Sequence, residues 1–234
     1  MQKPSDNLVE TIYAELRLRL QRSDVSPSDR LVDTEIAGRY GVSRVPAREA
    51  LLRLVAEGYL VGTTRGFALR QLSLEDIADL FEMRRQLEPR AAANAARDMT
   101  PDIEAELTDA MTRIEAALAD GDLRVLMDAN VDFRNAWLNA VRNRHMADTV
   151  ARFMNYFQSV RLDSFTDKDM LKQYIDGLSR IHAAFVARDP VRIAEYMTLY
   201  MFAAEQAFLA VRQRQLTESE TARPSRRKKD KQGR

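Results

Sequence analysis

Two arginines four residues apart stand directly after a serine in the run Gly41-Val-Ser-Arg-Val-Pro-Ala-Arg-Glu-Ala-Leu-Leu-Arg-Leu-Val-Ala-Glu-Gly58. Ser43 and Pro46 are start signals for a helix, and the apolar positions Ala47, Ala50, Leu51, Leu54 and Val55 give it one buried face. Arg44 and Arg48 then fall on the opposite, exposed face of the first turns. A guanidinium fork matches the geometry of phosphate and of the guanine edge, and a helix N-terminus favours anions. The chemistry on offer is therefore recognition of a phosphate backbone and of base edges. A second constellation lies further along. The seam Leu123, Met127, Asn130, Arg134, Trp137, Val141 follows helical spacing, and Asn130 and Arg134 interrupt an otherwise apolar stripe beside Phe133 and Trp137. A guanidinium on a buried stripe needs an anion. That anion is either an internal carboxylate, with Asp128, Glu88 and Asp176 in reach by sequence, or the carboxylate or phosphate of a bound ligand.

Other chemistries lack their residues. The chain has no cysteine, which excludes disulfides, thiolate metal sites and cysteine nucleophiles. It carries no Glu-x-x-His pair, no glycine-rich phosphate loop and no defensible Ser-His-Asp arrangement, so an enzyme is not expected. Most carboxylates sit at spacings typical of surface ion pairs.

Helices must position both constellations. In residues 7–22, Leu8, Ile12, Leu16 and Leu20 mark one helical face. Ser26-Pro27-Ser28 marks a turn. Asp33 or Thr34 can cap a second helix containing Ile36, Ala37 and Tyr40, which Gly41 ends. The third helix runs from Ser43 to about Glu57. Two short β-like pieces, Tyr59-Leu-Val and Phe67-Ala-Leu-Arg-Gln-Leu, flank the turn Gly62-Thr-Thr-Arg-Gly66. Three helices and a hairpin make a winged helix-turn-helix. From Ser73, which caps the next segment, the period is helical throughout, with helices expected at 73–97, 101–119, 122–142, 145–162, 168–187 and 190–214. The fold class is thus mainly α, a winged helix-turn-helix followed by an all-helical bundle. The expected domains are 1–71, 72–216 and a basic disordered tail, 217–234. Residues 1–70 carry 11 Lys and Arg against 9 Asp and Glu, residues 71–216 carry 18 against 23, and residues 217–234 carry 7 against 3. The first segment is only mildly basic, so arginine placement rather than charge points to nucleic acid. The tail either adds nonspecific phosphate attraction or simply solubilises. No apolar run is long enough for a membrane span, and the N-terminus has no signal-peptide core, so a cytoplasmic protein without a membrane partner is expected.

The stretch from Arg30 to Leu60, with the Arg65-Gly66 wing, resembles the GntR family of bacterial transcription regulators. The helical part resembles the ligand-binding domain of its FadR subfamily, the FCD type, on Leu80-Phe-Glu-Met-Arg-Arg-Gln-Leu-Glu88, Phe133, Asn143 and Ala187-Arg-Asp189-Pro190. The resemblance spans about residues 8–212. It implies that Arg44 and Arg48 touch DNA, that Ser43, Val45 and Pro46 lie where the helix approaches base edges and phosphates, and that Arg65 and Gly66 form the wing tip in the minor groove. Arg39 and Arg53 read as ordinary solvated arginines. It further implies a homodimer on a pseudopalindromic operator, released or engaged by a small molecule in the helical domain.

Many FCD domains hold a divalent metal through Asp or Asn and three histidines. Aligned on Phe133 and Asp189, those positions here are Asn130, Arg134, Leu178 and Tyr200, so a metal is not expected. His182 stands one turn past Leu178, which leaves a displaced, metal-dependent site as an alternative. An effector-independent DNA-binding protein is another. The preferred expectation is that Arg134 fixes a small organic acid, with Asn130 and Tyr200 as hydrogen-bond partners and Leu178 and Trp137 as an apolar wall. Arg84, in the Arg-x-x-Leu-Glu motif with Leu87 and Glu88, is expected to form a structural ion pair.

Overall fold

The computed structural model describes residues 4–22, 24–157 and 168–221. Helices α1 (Pro4–Gln21), α2 (Asp33–Tyr40) and α3 (Arg44–Ala56) are followed by strands β1 (Leu60–Thr63) and β2 (Gly66–Leu69). The strands pair antiparallel with Leu60 opposite Leu69 and Thr63 opposite Gly66, and Leu31 adds a bridge to Phe67 on the outer side. The winged helix-turn-helix is therefore present. Its core gathers Ile12, Leu16 and Leu20 of α1, Ile36 and Ala37 of α2, and Ala47, Ala50, Leu51 and Leu54 of α3. Leu8 differs from the expected stripe, being 41% exposed at the outer end of α1.

The remainder is helical: α4 (Leu74–Asp98), α5 (Pro101–Asp120), α6 (Leu123–Asn139), α7 (Arg144–Tyr156), α8 (Lys168–Val186) and α9 (Pro190–Thr221). The start signals act as the side chains demand. Ser73 Oγ accepts from the Asp76 N–H at 3.0 Å and Asp76 accepts from the Ser73 N–H at 2.9 Å, a reciprocal capping box. That backbone donor holds the Asp76 carboxyl below the usual carboxylate range. Thr100, Asp122 and Asn143 cap α5, α6 and α7. The α8–α9 corner puts Arg188 at φ 49°, and Arg188 is held there by bonds to the Met99 carbonyl and Glu104 at 2.7 and 2.6 Å. Helix α4 packs along α9, α5 along α6, and α8 along α9 and α5. A second core results, from Leu72 through Val211, while Leu69 still belongs to the first.

Several boundaries differ from expectation; α6, for one, ends at Asn139 instead of 142, and β2 at Leu69 instead of Leu72. Val32, not Asp33 or Thr34, occupies the N-cap of α2, which places Asp33 in the first turn. Helix α7 ends at Tyr156 instead of about 162, with residues 158–167 outside the described part. Helix α9 runs through Thr221, past the expected end of the bundle at 216; the rest of the basic tail, 222–234, lies outside the described residues.

Candidate nucleic-acid interface and ligand cavity

Helix α3 turns its apolar face inward and leaves Ser43, Arg44, Val45 and Arg48 exposed, Val45 at 71%. An apolar side chain that open to water, at the start of a helix, is suited to a base methyl or to nothing within the protein. Pro46 departs from this group: its ring is buried, and only its backbone stays near the helix start. Ser43 sits at the N-cap, yet its side chain makes no cap bond, so the hydroxyl is left to other acceptors and donors.

The sequence reading missed Asp33. Its carboxylate accepts from Arg44 Nη2 at 3.2 Å to both oxygens and from Arg48 Nη1 at 3.3 Å. Asp33 is nearly buried while both guanidiniums remain more than half exposed. One carboxylate thus holds two arginines side by side, and the Arg44 bond, then that of Arg48, holds the Asp33 carboxyl below its ordinary range. The available signal was an acidic residue in the first turn of the preceding helix. At the wing, Thr63 Oγ1 donates to the Gly66 carbonyl at 2.9 Å and accepts from the Arg65 N–H at 3.2 Å, leaving the Arg65 side chain exposed. Gly66 is required there: its φ is 108°, and a Cβ would stand 2.6 Å from the Leu31 carbonyl oxygen. Arg39 is exposed. Arg53 is not a plain solvated arginine. It lies 3.6 Å above the Tyr13 ring and pairs with Glu10 at 2.7 Å and Glu57 at 3.3 Å, which ties α1 to the end of α3.

In the bundle, Asn130, Arg134, Trp137, Leu178 and Tyr200 line one small cavity of about 40 Å³, together with Arg84, Glu88, Phe133, Met154 and Tyr174. Asn130 and Arg134 are each 6% exposed, and Asn130 Nδ2 donates to the Tyr174 hydroxyl. Leu123, the first residue of the expected seam, is 37% exposed because α6 begins at the edge of the bundle. Two of the carboxylates considered for Arg134 are engaged elsewhere: Glu88 by Arg84, and Asp128 by Arg22 of the winged unit at 3.2 Å. Asp176 lines a groove of about 410 Å³ between α8 and α9. Tyr174 and Tyr200 line both that groove and the inner cavity, their rings 5.2 Å apart, so they form the wall between the two.

The donor set does not fit a transition metal. An amide, a permanently charged guanidinium, a leucine and a phenol offer two weak neutral oxygen donors and a repelling cation. His182 does not repair this. It is absent from the cavity wall, approaches Thr108 Oγ1 of α5 at 3.2 Å and meets the Phe133 ring edge-on, and burial pushes its pKa down.

Helix α7 joins the two units. Met154 lines the inner cavity, while the next residue, Asn155, donates through Nδ2 to the Glu57 carbonyl at 3.0 Å, at the C-terminal end of α3. Tyr156 packs against Gly58 so closely that a Cβ there would lie 2.6 Å from Cε1, and Arg70 lies 4.7 Å above the Tyr156 ring.

A winged helix-turn-helix seated on a helical bundle that encloses a small polar cavity defines the architecture. An FCD-domain model matches residues 79–203, and a model of the bacterial regulatory proteins of the gntR family matches residues 8–66. The chain belongs to the FCD-domain members of the GntR family. It is 31% identical over 131 residues to the HTH-type transcriptional regulator McbR of Escherichia coli, covering 56% of this chain and 59% of that protein. It is 33% identical over 127 residues to the Nta operon transcriptional regulator of Aminobacter aminovorans, covering 53% and 59%. The matched part of the chain thus spans about six-tenths of the length of these curated relatives. The relatives are named as transcriptional regulators, not enzymes. The solved structure of E. coli McbR/YncC superposes with a TM-score of 0.74 at 23% identity, covering 92% of this chain and all of that one, which establishes the shared fold.

Proposed function

We propose that this chain is a cytoplasmic, DNA-binding transcription regulator that reads a pseudopalindromic operator as a homodimer and responds to a small acidic metabolite without a bound transition metal. The observation that carries the reading is the exposed pair Arg44 and Arg48, set side by side by Asp33 on the first turns of α3. In this reading Ser43, Arg44, Val45, Arg48 and the Pro46 backbone meet the major groove, and Arg65 with Gly66 meets the minor groove. A single winged helix contacts few base pairs, so two copies on a two-fold site supply affinity and specificity. Leu199 and Phe202, more than half exposed on α9, offer apolar surface for the second copy.

The effector reading rests on the five residues gathered at the inner cavity. Its volume of about 40 Å³ holds little more than a water or two, so a metabolite enters by displacing Tyr174 and Tyr200 and joining the cavity to the groove between α8 and α9. Arg134 then binds the acid group, with Asn130 and Tyr200 as partners and Trp137 and Leu178 as the apolar side. Met154 and Asn155 on α7 offer a short mechanical route from that cavity to α3. A ligand that favours one setting of α7 changes DNA affinity by its differential binding alone.

The test is selection of genomic fragments by the purified full chain at near-physiological salt. A palindromic motif is expected, and Arg48→Ala should weaken binding to it by about 5- to 150-fold, or about 1–3 kcal/mol. Diffuse binding without a motif overturns the operator reading. Release from the operator by an acid of the adjacent pathway should vanish in Arg134→Ala; release that persists overturns the role of Arg134.

A further inference from the structure

An acid stands behind the two exposed arginines of α3, and a carboxylate repels the phosphates that supply nonspecific affinity for DNA. The ordinary reason for Asp33 would be the dipole of α2, since acids are favoured in the first turn of a helix. Glu35 stands in the same turn, is exposed, and already serves that purpose. Asp33 differs from it. Its side chain is 8% exposed, and its oxygens are spent on guanidiniums of the next helix, 11 and 15 residues along the chain. Asp33 takes Nη2 of Arg44 and Nη1 of Arg48. The Nε–Nη2 edge of Arg48 is therefore not spent on Asp33, and an edge of two parallel N–H groups matches O6 and N7 of guanine. A side chain already held by a carboxylate loses less freedom when it docks on a base. A guanidinium whose charge is partly offset gains less from any phosphate it happens to meet. Both effects favour one sequence over the others.

Resting on the DNA-binding reading above, we propose that Asp33 is a specificity-determining residue. It holds Arg44 and Arg48 in the geometry that reads the operator, and it subtracts one charge from the surface that meets nonspecific DNA. The three groups together carry one positive charge where the two arginines alone would carry two. Asp33 is a positioning residue, acting through the arginines and not by touching a base.

The test is fluorescence anisotropy of the full chain and of Asp33→Asn on two labelled duplexes of equal length and composition. One carries the motif from the fragment selection, the other its shuffled sequence, and salt runs over about 50–200 mM. Asparagine keeps the size and removes the charge. The ratio of the two dissociation constants should fall by about fivefold or more, the discrimination that one well-set arginine–base contact supplies. Binding of Asp33→Asn to the shuffled duplex should depend more steeply on salt, by about one unit of log K per log salt. Asp33→Glu, which keeps the charge, should keep the parent slope. Asp132→Asn, which removes one exposed charge from the bundle, should change neither ratio nor slope. A variant that is merely less folded binds both duplexes less in proportion and leaves the ratio alone. An unchanged ratio in Asp33→Asn therefore overturns the specificity role, and an unchanged slope overturns the charge offset. An equal fall of the ratio in Asp132→Asn also overturns the proposal, because it traces the effect to net charge. A parent chain that binds both duplexes equally overturns the operator reading, and this proposal with it, which is told apart from a discriminating parent whose ratio the substitution leaves unchanged.

Discussion

Replacing Glu88 with glutamine tests the central electrostatic claim about the bundle, that the Arg84–Glu88 pair is structural. Glu88 is fully buried and the Arg84 side chain is 8% exposed, four residues earlier on the same helix. Arg84 donates through Nε to one carboxylate oxygen and through Nη2 to the other at 3.3 Å. Its guanidinium also stands 4.7 Å from the Phe81 ring and 5.0 Å from the Phe157 ring. Glutamine keeps the volume and removes the charge, which leaves a cation in a site that excludes water. Removing one partner of such a pair costs about 3–5 kcal/mol. At about 2–4 °C per kcal/mol for a chain of this size, the bundle should melt about 6–20 °C lower. Trp137 is the single tryptophan and lies in the same cavity wall, so its fluorescence reports this core and not the winged one. The double variant Arg84→Met with Glu88→Leu, which keeps packing against the two phenylalanines, should recover most of the loss. The exposed pair Arg113–Asp132, with side chains 41% and 54% exposed, gives the scale for comparison: Asp132→Asn should cost at most about 1 kcal/mol. A Glu88→Gln loss as small as that of Asp132→Asn would refute the assignment, because it would mean that Arg84 is not a buried cation dependent on Glu88.

Two further outcomes follow from other contacts. Gly58→Ala places a side chain at φ 85° and a Cβ within 2.6 Å of Tyr156 and 3.0 Å of Arg152. The left-handed backbone alone costs about 1–2 kcal/mol, and α7 must also retreat from α3. Limited proteolysis between the two units should therefore speed up, and unchanged cleavage would contradict the packing. For His182, burial lowers the pKa in the folded state, with Glu115 and Glu104 opposing it. The unfolded chain takes up the proton first as pH falls, so the stability this group contributes is complete above about pH 6.5 and is lost below it. In His182→Gln the urea midpoint should fall less between about pH 7.5 and 5.5 than in the parent chain; parallel pH profiles would rule out a buried neutral His182.

Much of the fold was legible along the chain because it depends on local rules. The 3.6-residue period marks the helices, Gly41 and Ser73 mark helix ends, and the Gly62–Gly66 turn marks the wing. The gathering of Asn130, Arg134, Trp137, Leu178 and Tyr200 at one cavity accords with a helical seam for the first three, while for the last two it came from the family resemblance. Boundaries were read less well. Periodicity gives α7 no reason to stop at Tyr156, and the polar residues after Leu216 hid the last turn of α9.

Taken alone, the sequence determined which residues form helices, which face of each is apolar, and that two arginines stand exposed at the start of α3. Partnership was decided only in three dimensions. Asp33 reaches Arg44 and Arg48 because α2 crosses the start of α3, Glu10 captures Arg53 from 43 residues away, and Arg22 takes Asp128 from 106. The inner cavity shrinks to about 40 Å³ because two tyrosines from different helices close it, and four arginines from four helices meet where the two units join. A period along the chain records only which side of an element avoids water. Which charge answers which, and how much space is left between elements, depends on crossing angles and docking, and these arise from the packing of all the faces together.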